Sequence, residues 1–405
     1  MLSGVNVALG VTGSIAAVRA VELANELRRR GAAVRAVTTP SAHTIVHPWA
    51  LDWATDEPVV TELTGATEHI ELCGEDGWAD VLLIAPATAN TVGKIAAAVD
   101  DTPVTTCATT ALGAGLPVVV APAMHEPMYD HPGVLEAIET VESWGVEFVD
   151  PRIEEGKAKI ATEDAIAIET ARAARAAAGE DDLSGRSVVV TAGATAEAID
   201  PVRVLTNRSS GRMGRAVARA CYVRGADVTL VHGVVGLQPL GAAALDPKSD
   251  DPRVPYAMLR QVEDGGEMLT AIEDAIADAD ALVSAAAIGD YTTDAHADKL
   301  RSGQDLSLDL QPTPKLIDGA RETRPDLPIV GFKTETSGDD DEMAEAGRGI
   351  MDRADLSFVV ANDASVMGAA ETRALLVDED DYEPVSGTKA DVAERIAGEL
   401  AALLE

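Results

Sequence analysis

The chain opens with an apolar run, Val5-Asn6-Val7-Ala8-Leu9. A glycine-rich turn, a helical stretch and a second run from Ala33 to Thr39 follow. The order recurs from Ser187 to Gly233: Val188-Val189-Val190-Thr191, a long loop, a helix from about Gly214, then Ala226 to Val231. Strand, loop, helix, parallel strand is the βαβ pattern. Further apolar runs occur at Val81 to Ile84 and Pro117 to Val120. The second half adds Ala281 to Ser284, Ile329 to Phe332, Ser357 to Val360 and Ala374 to Val377. Continuous apolar runs of this length predict parallel strands covered on both faces. The expected architecture is α/β, with two doubly wound three-layer domains. An Ala-rich helical stretch from Ala165 to Ala178 ends in Gly179 to Gly185, polar with a glycine at each end. That sets the expected domains at 1–180 and 185–405.

Composition narrows the function. A length of 405 residues suits two or three domains, and 46% hydrophobic with 25% charged residues is a globular balance. Acids outnumber bases 68 to 32, for a net charge of -36, which argues against a nucleic-acid partner. The bases are 24 Arg and only 8 Lys. Acidic runs such as Asp339 to Glu342 and Asp378 to Asp381 recur in apparent loops. This pattern predicts a salt-adapted protein, whose self-repulsion is relieved by screening. Cys73, Cys107 and Cys221 form no disulfide framework and no metal-ligand spacing. No segment is long and apolar enough to span a membrane, and the N-terminus runs straight into a strand. A cytoplasmic location is expected, without a membrane partner.

Loops at the C-terminal ends of the strands are where an open α/β sheet binds ligands. The first is Gly10-Val11-Thr12-Gly13-Ser14-Ile15-Ala16-Ala17. It lets backbone approach an anion at a helix N-terminus, and read alone it is equally a tight turn. The second strand ends in Thr38-Thr39-Pro40-Ser41, hydroxyls without the carboxylate that NAD sites place on the ribose. A phosphate or a flavin suits it better. The next strands end in Ala85-Pro86-Ala87-Thr88-Ala89-Asn90 and in Pro122-Ala123-Met124-His125, with Asp100 to Thr106 between them.

In the second half, Thr191 to Arg203 and Leu205-Thr206-Asn207-Arg208-Ser209-Ser210-Gly211-Arg212-Met213-Gly214 make a loop too long for a simple strand-to-helix turn. The loop itself is expected to belong to a site. Val231-His232-Gly233 again lacks the NAD carboxylate. Ala285 to Tyr291, Lys299-Leu300-Arg301-Ser302, Gly331 to Thr336 and Ala361-Asn362-Asp363 complete the candidate segments.

Gly13-Ser14, Thr38-Thr39, Pro86 to Asn90 and Pro122-Ala123-Met124 together resemble the homo-oligomeric flavin-containing cysteine decarboxylases. With the second half, nearly the whole chain resembles the bifunctional phosphopantothenoylcysteine decarboxylase/phosphopantothenate–cysteine ligases of coenzyme A synthesis. The resemblance implies a flavodoxin-like flavin domain followed by a Rossmann-like ligase domain. It implies FMN held by Gly13, Ser14, Thr38, Thr39, Pro86, Ala87, Thr88, Asn90, Thr105, Ala123 and Met124. His69 matches the catalytic histidine, although a histidine met alone is more often structural. His125 stands where the family commonly has Asn against the substrate carboxylate. The flap, Glu155 to Ala161, carries no Cys; Lys157 or Lys159 would reach the substrate phosphate or carboxylate. The chemistry wants a flavin because loss of CO2 from an acylated cysteine leaves a carbanion with no electron sink. Transient oxidation of the thiol supplies one.

For the ligase half the resemblance implies CTP and Mg2+ as reactants with 4'-phosphopantothenate and cysteine, through an acyl-CMP intermediate. Gly193, Thr195, Ser209 and Ser210 would bind substrate, and Lys299 would hold the triphosphate. Asn207 would donate to the acyl oxygen, Asp290 would orient the nucleotide or its metal, and Phe332 would face the cytosine. Taken singly, Asp290 reads as a helix cap, Lys299 as a surface charge and Phe332 as a core aromatic; their order along the chain favours the site. Homo-oligomers are implied as well: trimers of the flavin domain, dimers of the ligase domain and, combined, a dodecamer. Two rivals are a flavin-binding regulatory subunit and a flavin prenyltransferase. Neither accounts for the second domain.

Overall fold

The computed structural model describes residues 1–154, 157–234, 254–301, 303, 306–335, 339–363 and 371–405. Glu155, Gly156, Ser302 and Thr336, which belong to the motifs above, lie outside the described residues. The chain divides into two compact units, Met1–Asp181 and Asp182–Glu405.

Unit one contains β1 (Asn6–Val11), β2 (Ala33–Thr38), β3 (Val81–Ala87), β4 (Val118–Pro122), β5 (Met124–His125), β6 (Glu147–Phe148), β7 (Arg152–Glu154) and β8 (Lys157–Lys159). Its main sheet runs β2-β1-β3-β4-β6 with every pairing parallel. This is the flavodoxin-like order, and its switch point lies between β1 and β3. Every residue of β3 is buried, as a central strand covered on both faces requires. The core behind it joins Ala8, Leu82, Ile84, Val104, Val118 and Val120. A separate antiparallel sheet, β5-β8-β7, forms the flap.

Unit two contains β9 (Ser187–Ala192), β10 (Ala196–Ala198), β11 (Val204–Thr206), β12 (Asp227–Gly233), β13 (Met258–Val262), β14 (Ala281–Ser284), β15 (Tyr291–Thr292), β16 (Gln311–Pro312), β17 (Ile329–Glu335), β18 (Phe358–Asp363), β19 (Glu371–Val377) and β20 (Tyr382–Thr388). The large sheet is ordered β13-β12-β9-β14-β17-β18-β19-β20. Its first six strands reproduce the Rossmann order, with the switch point between β9 and β14. β10–β11 and β15–β16 are small antiparallel pairs outside the sheet.

Two expectations need correction. Ala374 to Val377 lies in β19, which pairs antiparallel with both β18 and β20. Its apolar run reflects cover by the flanking helices Asp340–Ala354 and Lys389–Leu404, which bury it without a parallel crossover. The acidic run Asp339 to Glu342 is also no loop. Asp339 caps the helix Asp340–Ala354 through the Glu342 amide, and the other three acids form its first turn. Negative charge there complements the helix dipole. Asp378 to Asp381 does lie at the turn between β19 and β20.

Candidate active sites

In unit one, the turn after β1 is built by short contacts. Thr12 donates its hydroxyl to the Pro86 carbonyl at 2.7 Å, which ties the end of β1 to the end of β3. Ser14 donates to the Ala123 carbonyl at 3.0 Å, and the Ala123 amide donates to the Ala87 carbonyl at 2.9 Å. A Cβ on Gly13 would lie 2.5 Å from Ser41 Oγ, so this position has room only for glycine. Ser41 in turn shares a hydrogen bond with the Thr39 hydroxyl at 3.0 Å. Gly13, Ser14, Thr39, Pro86, Ala87 and Ala123 therefore converge on one crevice at the switch point.

The remaining expected flavin residues sit around it with their polar atoms in local use. Thr38 is buried, with its hydroxyl 2.8 Å from His43 Nε2. Thr88 caps the helix Ala89–Ala96 through the Thr91 amide, and Asn90 is exposed in the first turn. Thr105 is buried, and its hydroxyl completes a capping box with Thr102 at the start of the helix Pro103–Ala114. These two helices leave N-terminal amides that favour an anion.

His69 lies on the helix Glu68–Cys73, which packs against Pro103–Ala114. Its Nδ1 is buried without a hydrogen-bond partner. An orphaned ring nitrogen is costly in an inert core residue and common where a reacting group binds. The preceding Glu68 accepts from the Thr64 hydroxyl and amide. Those bonds, with the His69 ring contributing less, hold its carboxyl below the usual range.

In the flap, Met124 pairs with Ala158 and His125 with Lys157 across β5 and β8. His125 and Lys157 thus stand opposite one another, both exposed. Lys159 is tied at 3.0 Å to Glu154, whose carboxyl it holds below the usual range. Of the two flap lysines, Lys157 is therefore the one better placed for an anion.

In unit two the glycine loops close over one buried histidine. A Cβ on Gly193 would lie 2.5 Å from His232 Cε1, and one on Gly211 would lie 2.6 Å from His232 Nε2. Both glycines have positive φ, at 77° and 68°. His232 is fully buried; its Nδ1 lies 2.5 Å from the Gly233 carbonyl and its Nε2 lies 2.6 Å from Arg215 Nη1. The Gly233 carbonyl can only accept and the Arg215 guanidinium can only donate, so these two contacts match a ring that donates from Nδ1 and accepts at Nε2. The Ala287 amide donates to the Gly193 carbonyl at 2.8 Å, and the Gly289 amide donates to the Thr195 hydroxyl at 3.0 Å. Glycine loop and β14 loop are thereby one structure. Ser209 caps the Gly211 amide at 3.3 Å, and Ser210 is exposed beside it.

Asn207 donates from Nδ2 to the carbonyls of Ala287 and Ile288, both at 3.1 Å. Both amide hydrogens are engaged, so donating to an acyl oxygen requires one of these bonds to be given up. Asp290 pairs with Lys315 at 3.2 Å, both largely exposed. Sequence reasoning passed over Lys315, which lies sixteen positions after Lys299 in an unremarkable Thr-Pro-Lys context. Lys299 is exposed and has no ion pair among the described residues. Phe332 is half-buried on β17, opposite Val360 of β18. No group of three His, Cys, Asp or Glu side chains that could hold a metal occurs among the described residues. No described helix is long and apolar enough to cross a membrane.

A flavodoxin-ordered unit followed by a Rossmann-ordered unit, each with its switch point, defines a two-domain α/β protein. Residues 1–174 match the family model for flavoproteins, and residues 183–404 match that for the DNA/pantothenate metabolism flavoprotein C-terminal domain. The coenzyme A biosynthesis bifunctional protein CoaBC of Thermococcus kodakarensis is 45% identical over 100% of this chain and 96% of its own. Those of Methanocaldococcus jannaschii and Bacillus subtilis are 32% and 33% identical over 100% of this chain, and over 95% and 98% of their own. The chain belongs to the family of bifunctional coenzyme A biosynthesis proteins.

Proposed function

We propose that this protein joins cysteine to 4'-phosphopantothenate at the expense of CTP, then decarboxylates the product to 4'-phosphopantetheine. The observation that carries this reading is the presence of both units in one chain, matched along its full length by bifunctional relatives.

The unit-one crevice fits FMN in its donor set. Its hydroxyls are neutral, the end of β2 lacks a carboxylate, and the Gly13 turn is closed to a side chain. Gly13, Ser14, Thr39, Thr88 and Ala123 would hold the flavin. When bound it supplies the transient two-electron oxidation that makes the substrate an electron sink. His69, with one ring nitrogen unpaired, would move protons on the substrate. Lys157 and His125 would hold its carboxylate or phosphate.

In unit two the N–H groups of the glycine loops and Lys299 would hold the triphosphate. Asn207 would keep the loop registered against Ala287 and turn one hydrogen toward the acyl group as charge builds there. Asp290 and Lys315 would flank the nucleotide, and Phe332 would face the base. Mg2+ would enter as the counter-ion of CTP, since the described residues build no metal cage. The acidic surface would operate in concentrated salt, and the chain would work as a homo-oligomer in the cytoplasm.

Release of pyrophosphate tests the ligase reading. Stoichiometric pyrophosphate and CMP from CTP, dependent on both phosphopantothenate and cysteine, is expected. Pyrophosphate release that ignores phosphopantothenate would contradict it.

A further inference from the structure

The loop that carries Lys299 is fastened by a buried carboxylate of the Thr191 to Arg203 stretch. Asp200 sits at the tip of the β10–β11 hairpin, its side chain inaccessible to solvent. Its Oδ1 accepts from the amides of Val202 and Arg203, both at 2.8 Å. Its Oδ2 accepts from the Leu300 amide at 3.1 Å and from Arg203 Nη1 at 2.5 Å. Arg203 then donates from Nη1 and Nη2 to the Leu300 carbonyl, both at 3.1 Å. Leu300 is therefore gripped at both ends of its backbone, one residue after Lys299. A second tie joins the His296 amide to the Ile199 carbonyl at 2.9 Å.

We propose that Asp200 is a positioning residue for nucleotide binding: through Arg203 and the backbone of Leu300 it fixes the loop that presents Lys299 to the triphosphate. A lysine on a free loop would lose conformational freedom each time it met its ligand. The clamp removes that cost beforehand. The carboxylate suits the task because all four of its bonds come from N–H donors. Burial works to raise its pKa, but the amides of Val202, Leu300 and Arg203 and the guanidinium outweigh that and hold it below the usual range. It stays charged, and the grip stays closed, throughout the neutral range. The proposal rests on the reading of Lys299 as a triphosphate ligand.

Asp200→Asn in the full-length protein tests it. The amide keeps one acceptor and turns an NH2 group toward Leu300 N–H and Arg203, so the grip on Leu300 is lost. Trypsin cleavage of the Lys299–Leu300 bond, followed by mass spectrometry, should quicken by about tenfold or more. KM for CTP should rise by about the same factor. Decarboxylation of supplied phosphopantothenoylcysteine by unit one should remain at the wild-type rate. In a Lys299→Gln background, adding Asp200→Asn should raise KM no further, because one residue acts through the other. If Asp200→Asn unfolds unit two, Arg203→Lys carries the same readouts, since it keeps the charge and loses the paired contact to Leu300. Wild-type cleavage and KM, or additive effects in the double variant, overturn the proposal while leaving the Lys299 role standing. Wild-type CTP kinetics in Lys299→Gln alone overturn the Lys299 reading and this proposal with it.

Discussion

Asn207 donates to the carbonyl of Ala287 at 3.1 Å, and through that bond the ligase signature loop is held against the end of β14. Its second hydrogen goes to Ile288. An asparagine so placed ties the loop down before substrate arrives, and it can donate to an acyl group only by giving up one of these two bonds.

The two ligase half-reactions should separate on that basis. Loss of a positioned donor acting mainly in a transition state lowers turnover about a hundred- to thousandfold. Asn207→Ala should therefore lose turnover while binding CTP nearly normally. Lys299→Gln should weaken CTP binding as well, because a cation facing a triphosphate acts in ground and transition states alike. Exchange of pyrophosphate into CTP, with phosphopantothenate but no cysteine, isolates the first half-reaction. Full exchange and full ligation in both variants would remove both residues from the site.

His69→Asn should stop decarboxylation and leave ligation running, because His69 belongs to unit one and the ligase loops belong to unit two. Phosphopantothenoylcysteine should accumulate. Normal phosphopantetheine output would exclude His69 as the proton-transfer group.

Gly13→Ala should weaken flavin binding about ten- to a hundredfold, the effect of roughly 1–3 kcal/mol of overpacking. The added methyl would meet Ser41 Oγ at 2.5 Å and push the turn out of the crevice. Flavin absorbance retained on gel filtration measures it. Wild-type retention would show that the turn does not shape the site.

Much of this architecture was legible because central parallel strands are buried on both faces. β1, β3, β9 and β14 announce themselves as unbroken apolar runs. The edge strands do not. β13 breaks its apolar run with Arg260 and Gln261, and β20 leaves four of its seven positions exposed and carries Glu383, Pro384 and Gly387. Their strand character comes from a neighbour, which no local pattern records. The sites divide similarly. Gly13, Gly193 and Gly211 stand in recognisable motifs. Asp200 stands in the Thr191 to Arg203 motif as well, but its bond to Leu300, like the contacts of His232 and Lys315, joins residues remote in sequence, so spacing alone does not reveal it. The Asp339 to Glu342 run misled because charge density marks a solvated surface without distinguishing a loop from the first turn of a helix.

Folding and activity should both improve toward molar KCl. A chain at -36 repels itself, and screening shortens the Debye length to about 3 Å at 1 M salt. A thermal midpoint that is flat or falls from low to high KCl would refute salt adaptation.

One chain should carry out ligation and decarboxylation in sequence. Mass spectrometry of the products from 4'-phosphopantothenate, cysteine, CTP and Mg2+, with and without FMN, tests it most directly. Protein loaded with FMN should yield 4'-phosphopantetheine, and protein stripped of it should yield phosphopantothenoylcysteine. Unchanged phosphopantothenate in both samples, from folded protein, would contradict it.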